Sequence, residues 1–505
     1  MTFPWLTILG LVPILGAAVL CLPLRQVSRI VGMGFALATA AIGIAAGAFH
    51  IAGTPLAVKV PWIPTFGAWW ALGVDGMGLV MVLLTVILTP VVLLAEWSIA
   101  ERVGRWSSQV FFSLVLLLEG LTLFVFMADD VLLFYLFFEA TLIPMYFLIG
   151  GFGGSRRKYA AIKFLLFSLA GGLIMLASVI GLYAWSVKVA GRPTYLLADL
   201  MALPAPDLNL GLLLMWGFLI AFIIKAPMVP VHTWLPDAAE HATPGSSVLL
   251  VGLLDKIGTF GMIKFCLGLF PAESQVVAPF MVVMALISII YGAVAAIGSS
   301  HLLRLVAYTS ISHFGFMVLG IYTFTTGGLS GSIFYMVNHG FSTAALFLVI
   351  GFLIARRGSS GVQDFGGVQK VAPALTGALL LAGLSSLALP GMSSFVSEFM
   401  VMAGAWSRTP AVAAVATLGT VLAAVYILLM FQRTMTGPVT EQTRAHITTD
   451  LTAGEKLVVI PLIGLILLLG FVPQIALNVV EPTAKAAMTN AGLADPVPAL
   501  AKEVK

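Results

Sequence analysis

Long apolar runs dominate the chain, and polar positions are gathered into the short stretches between them. A helix rises 1.5 Å per residue, so about 20 apolar residues cross the roughly 30 Å of hydrocarbon in a bilayer. Fourteen runs approach or exceed that length: residues 4–22, 29–51, 76–98, 108–128, 131–150, 159–188, 208–229, 243–270, 275–297, 301–323, 330–355, 372–402, 411–433 and 455–478. The pattern predicts an all-α polytopic membrane protein, a single integral membrane domain over 1–505 with about 14 transmembrane helices.

Two runs are interrupted. In FIIKAPMVPVHTWLPDAAEHATPGSS, Phe222 to Ser247, Pro227 and Pro230 cannot donate backbone hydrogen bonds, which frees the carbonyls of Ile223 and Ala226 and breaks the seventh helix beside Lys225. In SLALPGMSSFVSEFM, Ser386 to Met400, Pro390 and Gly391 break the twelfth helix ahead of Glu398. Broken helices at membrane depth are tolerated where they line a protein-enclosed or wet cavity, and they often mark ion sites. The two breaks lie five spans apart. An odd interval makes equivalent helices cross in opposite directions, so the spacing predicts two inverted five-helix repeats, helices 4–8 (108–270) and 9–13 (275–433).

Composition agrees: 60% of residues are hydrophobic and 9% charged, where soluble domains carry about 25% charged residues. The lipid bilayer is therefore the expected surrounding, and no nucleic-acid partner is expected. The net charge of +4 matters through its distribution. Loops after odd-numbered spans hold most of the basic residues, among them Arg25, Arg102, Arg105, Arg156, Arg157, Lys158, Arg356 and Arg357, whereas the opposite loops hold mainly Lys59, Arg192 and Arg408. The positive-inside rule puts the first set in the cytoplasm and both termini on the outer, periplasmic side of a bacterial plasma membrane. MTFPWLTILG has no basic n-region, so no cleaved signal peptide is expected.

Cys21 and Cys266, the only cysteines, fall in predicted spans without a partner at metal-ligand spacing, which argues against iron–sulfur ligation and a disulfide framework. GFGGSRRKY, Gly151 to Tyr159, follows no strand and lacks nucleotide-binding spacing; it reads as a basic inside loop. No metal or cofactor site is expected in this chain.

Ten ionisable residues remain inside the apolar spans: Glu119, Glu139, Lys163, Lys225, Asp255, Lys256, Lys264, His313, His339 and Glu398. Each charge at the centre of a helix costs roughly 2.5 to 3.5 kcal/mol on insertion scales. The economical explanation is one interior route along which they pair and pass protons or ions. Asp129 and Asp130 open the fifth span, where carboxylates cap free amides. Glu139 lies nine residues further on, beyond capping or snorkelling. Lysine suits proton handling because desolvation weakens its hold on the proton. Lys256 and Lys264 stand about 12 Å apart along one helix, with Lys264 a candidate structural partner. Glu119 reads equally as relay or structural ion pair, and Lys163 as relay or snorkelling side chain. Histidines titrate near neutrality, which admits His313 and His339 to the route.

Taken in order, FEATLIPMYFLIG, IKAPMVPVHTWLPDAAEHATPGSSVLLVGLLDK, RLVAYTSISHFGF and LPGMSSFVSEF resemble the antiporter-like subunits of respiratory complex I, NADH-quinone oxidoreductase, over nearly the whole chain. The likeness is to the M-type branch, the bacterial counterpart of mitochondrial subunit 4; the L and N types typically carry lysine at the position of Glu398. The resemblance implies that Glu139 is the fifth-helix glutamate and Lys225 its partner on the broken seventh helix. It further makes Lys256 the central lysine, His313 and His339 axis histidines, and Glu398 the terminal acid. Glu119, Lys163 and Lys264 remain accessory candidates.

On this likeness the chain is expected to move protons as part of a translocase, with no redox site of its own. NADH, flavin, iron–sulfur clusters and ubiquinone or menaquinone would belong to partner subunits. The L and N subunits would flank this chain, with L's lateral helix along its side. The expected mechanism makes Glu139 and Lys225 a switch: at about 4 Å and an effective dielectric of about 20 their attraction is about 4 kcal/mol, so withdrawing the carboxylate loosens the proton on Lys225. It would then pass to Lys256, by His313 or His339 to Glu398, and out. Carboxylates and lysines serve a sodium-coupled route equally well, which keeps open a multi-subunit sodium/proton antiporter or a membrane-bound hydrogenase of the same superfamily. A reading from another class has His313 and His339 ligate haem in an electron carrier, but it gives the deep lysines no role.

Overall fold

The computed structural model describes residues 4–496. The two termini predicted to lie outside end in residues beyond that range. Each of the fourteen runs falls on a helix or on adjoining helical pieces. Among the described residues, eleven helices are individually long and apolar enough to cross a membrane, or up to twelve if one bent pair counts as a span. Three runs fall short of a single long helix. The first has only 15 residues, Trp5–Val19. The eighth is divided by π turns at Leu250–Leu254 and Met262–Leu267. The twelfth breaks between the Pro373–Ser386 and Ser393–Arg408 helices, where Pro390 was expected to break it. The seventh likewise stops at Lys225 and resumes as the Trp234–His241 helix.

The chain divides into two compact units, Met1–Lys225 with Asp237–Glu273, and Ala226–Pro236 with Ser274–Lys505. In the first, an antiparallel hairpin of Ala57–Ile63 and Ala68–Gly73 joins the second and third spans, pairing Ala57 with Gly73 and Val60 with Trp70. Its turn passes Gly67 at φ 65°, where a β-carbon would lie 2.2 Å from the Pro193 carbonyl oxygen, so only glycine fits. Asp130 fastens the hairpin to the fifth span by accepting from the amides of Trp69 at 2.9 Å and Leu133 at 3.0 Å. Asp130 is the cap that the sequence predicts. Asp129 instead pairs with Lys264 at 2.9 Å.

In the second unit, the Thr326–Arg357 helix is buried at every position from Gly328 to Leu353. Apart from Tyr335, Asn338 and His339, that stretch is apolar or small on all sides, as a wholly enclosed helix requires. The Ser393–Arg408 half of the broken twelfth span packs against it through small polar groups. Asn338 donates to the Ser393 carbonyl at 2.9 Å and the Ser397 hydroxyl at 3.3 Å, and Ser342 meets Ser385 at 2.5 Å and Ser394 at 3.1 Å. Close approach of two helices through glycine and serine is the usual packing in membranes. Each unit thus holds one long array of helices with ionisable groups inside it.

Candidate functional site

Glu139 stands at the end of the Val131–Ala140 helix, which adjoins the Leu142–Phe152 helix at Thr141. Its Oε1 is buried without a hydrogen-bond partner among the described residues. The carboxylate lies in a notch over Gly172 of the Arg157–Ala190 helix: a β-carbon at Gly172 would fall 1.6 Å from Oε1.

Lys225 is the last residue of the Leu208–Lys225 helix, ending where the prolines halt the hydrogen-bond ladder. It is 1% exposed. Its Nζ makes no hydrogen bond among the described residues and sits 5.4 Å from the ring centroids of both Phe138 and Phe164. Aromatic faces attract a cation but do not replace its hydrogen bonds. Its charge interactions are with Asp255 and Glu139.

Lys256, also wholly buried, begins the helical piece after the first π turn and donates to the Val251 carbonyl at 2.8 Å. Such π turns recur at functional sites because they re-aim side chains within a helix. Asp255, between the π turn and Lys256, is fully buried, with neither carboxylate oxygen hydrogen-bonded among the described residues. The first unit therefore brings together Glu139, Lys225 and Lys256 with Asp255, a residue to which the sequence reading gave no particular role.

The second unit holds a different arrangement. Glu398 accepts from the Tyr335 hydroxyl at 2.7 Å and the Thr420 hydroxyl at 2.5 Å. His313 Nε2 lies 3.3 Å from the Tyr426 hydroxyl, and the His313 and His339 ring centroids are 5.2 Å apart, edge to face. Packed so closely, the two rings leave no space for a macrocycle between them. Tyr335, Thr420 and Tyr426 were not singled out in the sequence, because neutral hydroxyls carry no obvious insertion cost. One signal was available: Tyr335 and His339 are four apart and share a helix face.

The accessory candidates separate. Lys163 pairs with Asp237 at 2.6 Å rather than reaching only to the interface, and Lys264 pairs with Asp129. Glu119 is buried and forms no ion pair among the described residues. At the ends of the spans, Glu96 accepts from the Gly245 amide at 2.8 Å and pairs with Arg102, holding the start of the lysine-bearing helix.

Known proteins resemble the chain over nearly its whole length. Residues 128–423 match the transmembrane family of NADH:quinone oxidoreductase and Mrp antiporters. NADH-quinone oxidoreductase subunit M of Mycobacterium tuberculosis is 45% identical, over 99% of this chain and 97% of that protein. Subunit M of Rhodobacter capsulatus is 34% identical over 84% of this chain and 82% of that protein. Among solved structures, a chain of respiratory complex I from Thermus thermophilus with bound NADH superposes with a TM-score of 0.88 at 31% identity, covering 96% of this chain and all of that one. The Mrp complex of Dietzia sp. shares the fold, at a TM-score of 0.85 and 22% identity, over 97% of this chain and all of its matched chain.

Proposed function

The chain belongs to the NADH:quinone oxidoreductase/Mrp antiporter family of membrane subunits, and from that premise we propose that it is the M-type subunit of a proton-pumping NADH:quinone oxidoreductase. Within that complex it couples redox energy released in other subunits to proton transfer across the membrane. NADH, flavin, iron–sulfur clusters and quinone belong to those partners. The neighbours in this reading are the L and N subunits, with L's lateral helix alongside. Basic loops face the cytoplasm of a bacterial cell and both termini face outward.

One observation carries the mechanism: Lys225 ends a broken helix, buried without a hydrogen bond, within the charge field of Glu139. An ammonium so placed depends for its proton on the nearest carboxylates. Approach of Glu139 favours the charged lysine; withdrawal favours release, for which Lys256 is the proposed acceptor. His313, His339 and Glu398 form the proposed later stations. The two inverted repeats, 108–270 and 275–433, each supply one set of stations in this scheme.

Purification in mild detergent supplies the first test. Recovery within a complex that oxidises NADH supports the reading; recovery in a complex without NADH oxidation, with salt tolerance lost on deletion and respiration intact, places the chain on the sodium/proton antiporter side of the family. In the assembled complex, Glu139→Gln is expected to lower the protons pumped per electron. An unchanged ratio removes Glu139 from the switch.

A further inference from the structure

We propose that Asp255 is the shared counter-ion of Lys225 and Lys256, a positioning residue that decides which of the two lysines holds the proton. The proposal rests on the proton-transfer reading above and adds a group to it. Asp255 is completely buried, yet neither of its oxygens is hydrogen-bonded among the described residues. Three other buried carboxylates are held, Asp130 by the amides of Trp69 and Leu133, Glu96 by the Gly245 amide and Arg102, and Glu398 by two hydroxyls, whereas Glu119, like Asp255, has neither oxygen hydrogen-bonded among the described residues. A buried carboxylate without such bonds is costly unless a cation compensates it.

Two cations are within reach of its charge, Lys256 on its own helix and Lys225 from the Leu208–Lys225 helix. Lys225 in turn interacts with Asp255 and Glu139. Of the other helices packed on this stretch, Ser108–Met127 carries Glu119 and Gly76–Ala95 carries no ionisable residue. The four groups therefore form an interaction series of alternating sign: Glu139, Lys225, Asp255, Lys256.

Alternation has a consequence that a lone carboxylate–lysine pair lacks. When Lys225 gives up its proton, Asp255 is left with only one cationic partner, and its charge then favours the ammonium form of Lys256. One proton has moved from ammonium to amine, and the group has gained no net charge. Asp255 directly follows the π turn at Leu250–Leu254, where a local change in helical register would alter its distance from either lysine.

The test is proton pumping by the assembled complex in proteoliposomes, measured with NADH oxidation from mildly acidic to alkaline pH, for the parent, Asp255→Asn, Asp255→Glu and Glu139→Gln. Loss of an opposite charge makes both lysines harder to protonate. The alkaline limb of the Asp255→Asn pumping profile is expected to move to lower pH by about one unit or more, and Asp255→Glu to restore it. A purely structural role would lower assembly without moving the profile. Asp255→Ser provides the same neutralisation if the asparagine variant does not assemble. An unshifted profile in the neutral variant, with pumping impaired by Glu139→Gln, overturns the role of Asp255 alone. Unimpaired pumping in Glu139→Gln as well overturns the proton-transfer reading, and this inference with it.

Discussion

Glu139 and Glu398 are both carboxylates at membrane depth, but they are held in opposite ways. Glu398 receives hydrogen bonds from Tyr335 and Thr420 and is enclosed by helices on all sides. Glu139 is half-buried over a glycine notch, with Oε1 unbonded, and Lys225, with which it interacts by charge, and Asp255, the other carboxylate partner of Lys225, make no hydrogen bond through their charged groups among the described residues. Hydrogen bonds fix a group's position, whereas charge attraction alone falls off gradually with distance and lets it move. In the proposed scheme the first set changes partners, and the second receives and holds.

The largest break in that contrast should come from removing the movable cation. Lys225→Met fills the space between Phe138 and Phe164 but abolishes the charge. Proton pumping by the assembled complex is expected to be lost, with NADH oxidation slowed in proportion where the two are tightly coupled. Persistent full pumping would mean that the broken helix only supports the fold. Next comes Gly172→Ala. Its β-carbon would fall 1.6 Å from Glu139 Oε1, so the carboxylate must leave its notch. Pumping should drop while assembly persists. Gly464→Ala, where nothing lies within 4 Å, should leave both unchanged.

Effects in the second set should be smaller and additive. Tyr335→Phe and Thr420→Val each remove one hydrogen bond to Glu398, at a cost of about 1 to 2 kcal/mol apiece. Since about 1.4 kcal/mol corresponds to tenfold in rate, each is expected to slow pumping by about five- to thirtyfold, and the double variant to approach Glu398→Gln. If either single variant matched Glu398→Gln, the carboxyl would depend on one bond rather than two.

The two sets also differ in how much of them could be read from the sequence. Lys225 and Glu398 were marked by Pro227, Pro230 and Pro390, because a missing amide donor acts wherever the helix packs. The hairpin of Ala57–Ile63 and Ala68–Gly73 was not marked. AVKVPWI contains a proline and alternates poorly, and its pairing depends on the loop at Asp129 and Asp130, which also escaped notice as the anchor of Lys264. The π turns around Lys256 were illegible for another reason. An inserted residue in the ladder leaves no characteristic composition, so Asp255 looked like one more ionisable residue. Gly172 could be interpreted only once the Arg157–Ala190 helix was seen against Glu139.

The smallest prediction concerns how the broken helices are anchored. In the first unit, the Trp234–His241 piece is tied by the Lys163–Asp237 ion pair. In the second, the Pro373–Ser386 piece is capped by Asp450, which accepts from the amides of Ala374 at 2.8 Å and Leu375 at 2.9 Å and from that of Leu451 at 2.8 Å. Partial burial opposes the charge on Asp450, but these amide bonds outweigh it and hold its carboxyl below the ordinary aspartate range. A carboxyl with a depressed native pKa contributes stability above its unfolded pKa, about 3.9, and that contribution fades as pH falls through the native value. Asp450→Asn should therefore cost about 0.5 kcal/mol near neutral pH, the order of a surface carboxylate's interaction with a helix N-terminus, and the thermal midpoints of variant and parent should converge under acid conditions. A gap that stays constant on acidification would show that the side chain's shape, rather than its charge, anchors the helix. The second break would then differ from the ion-paired first in depending on no charge.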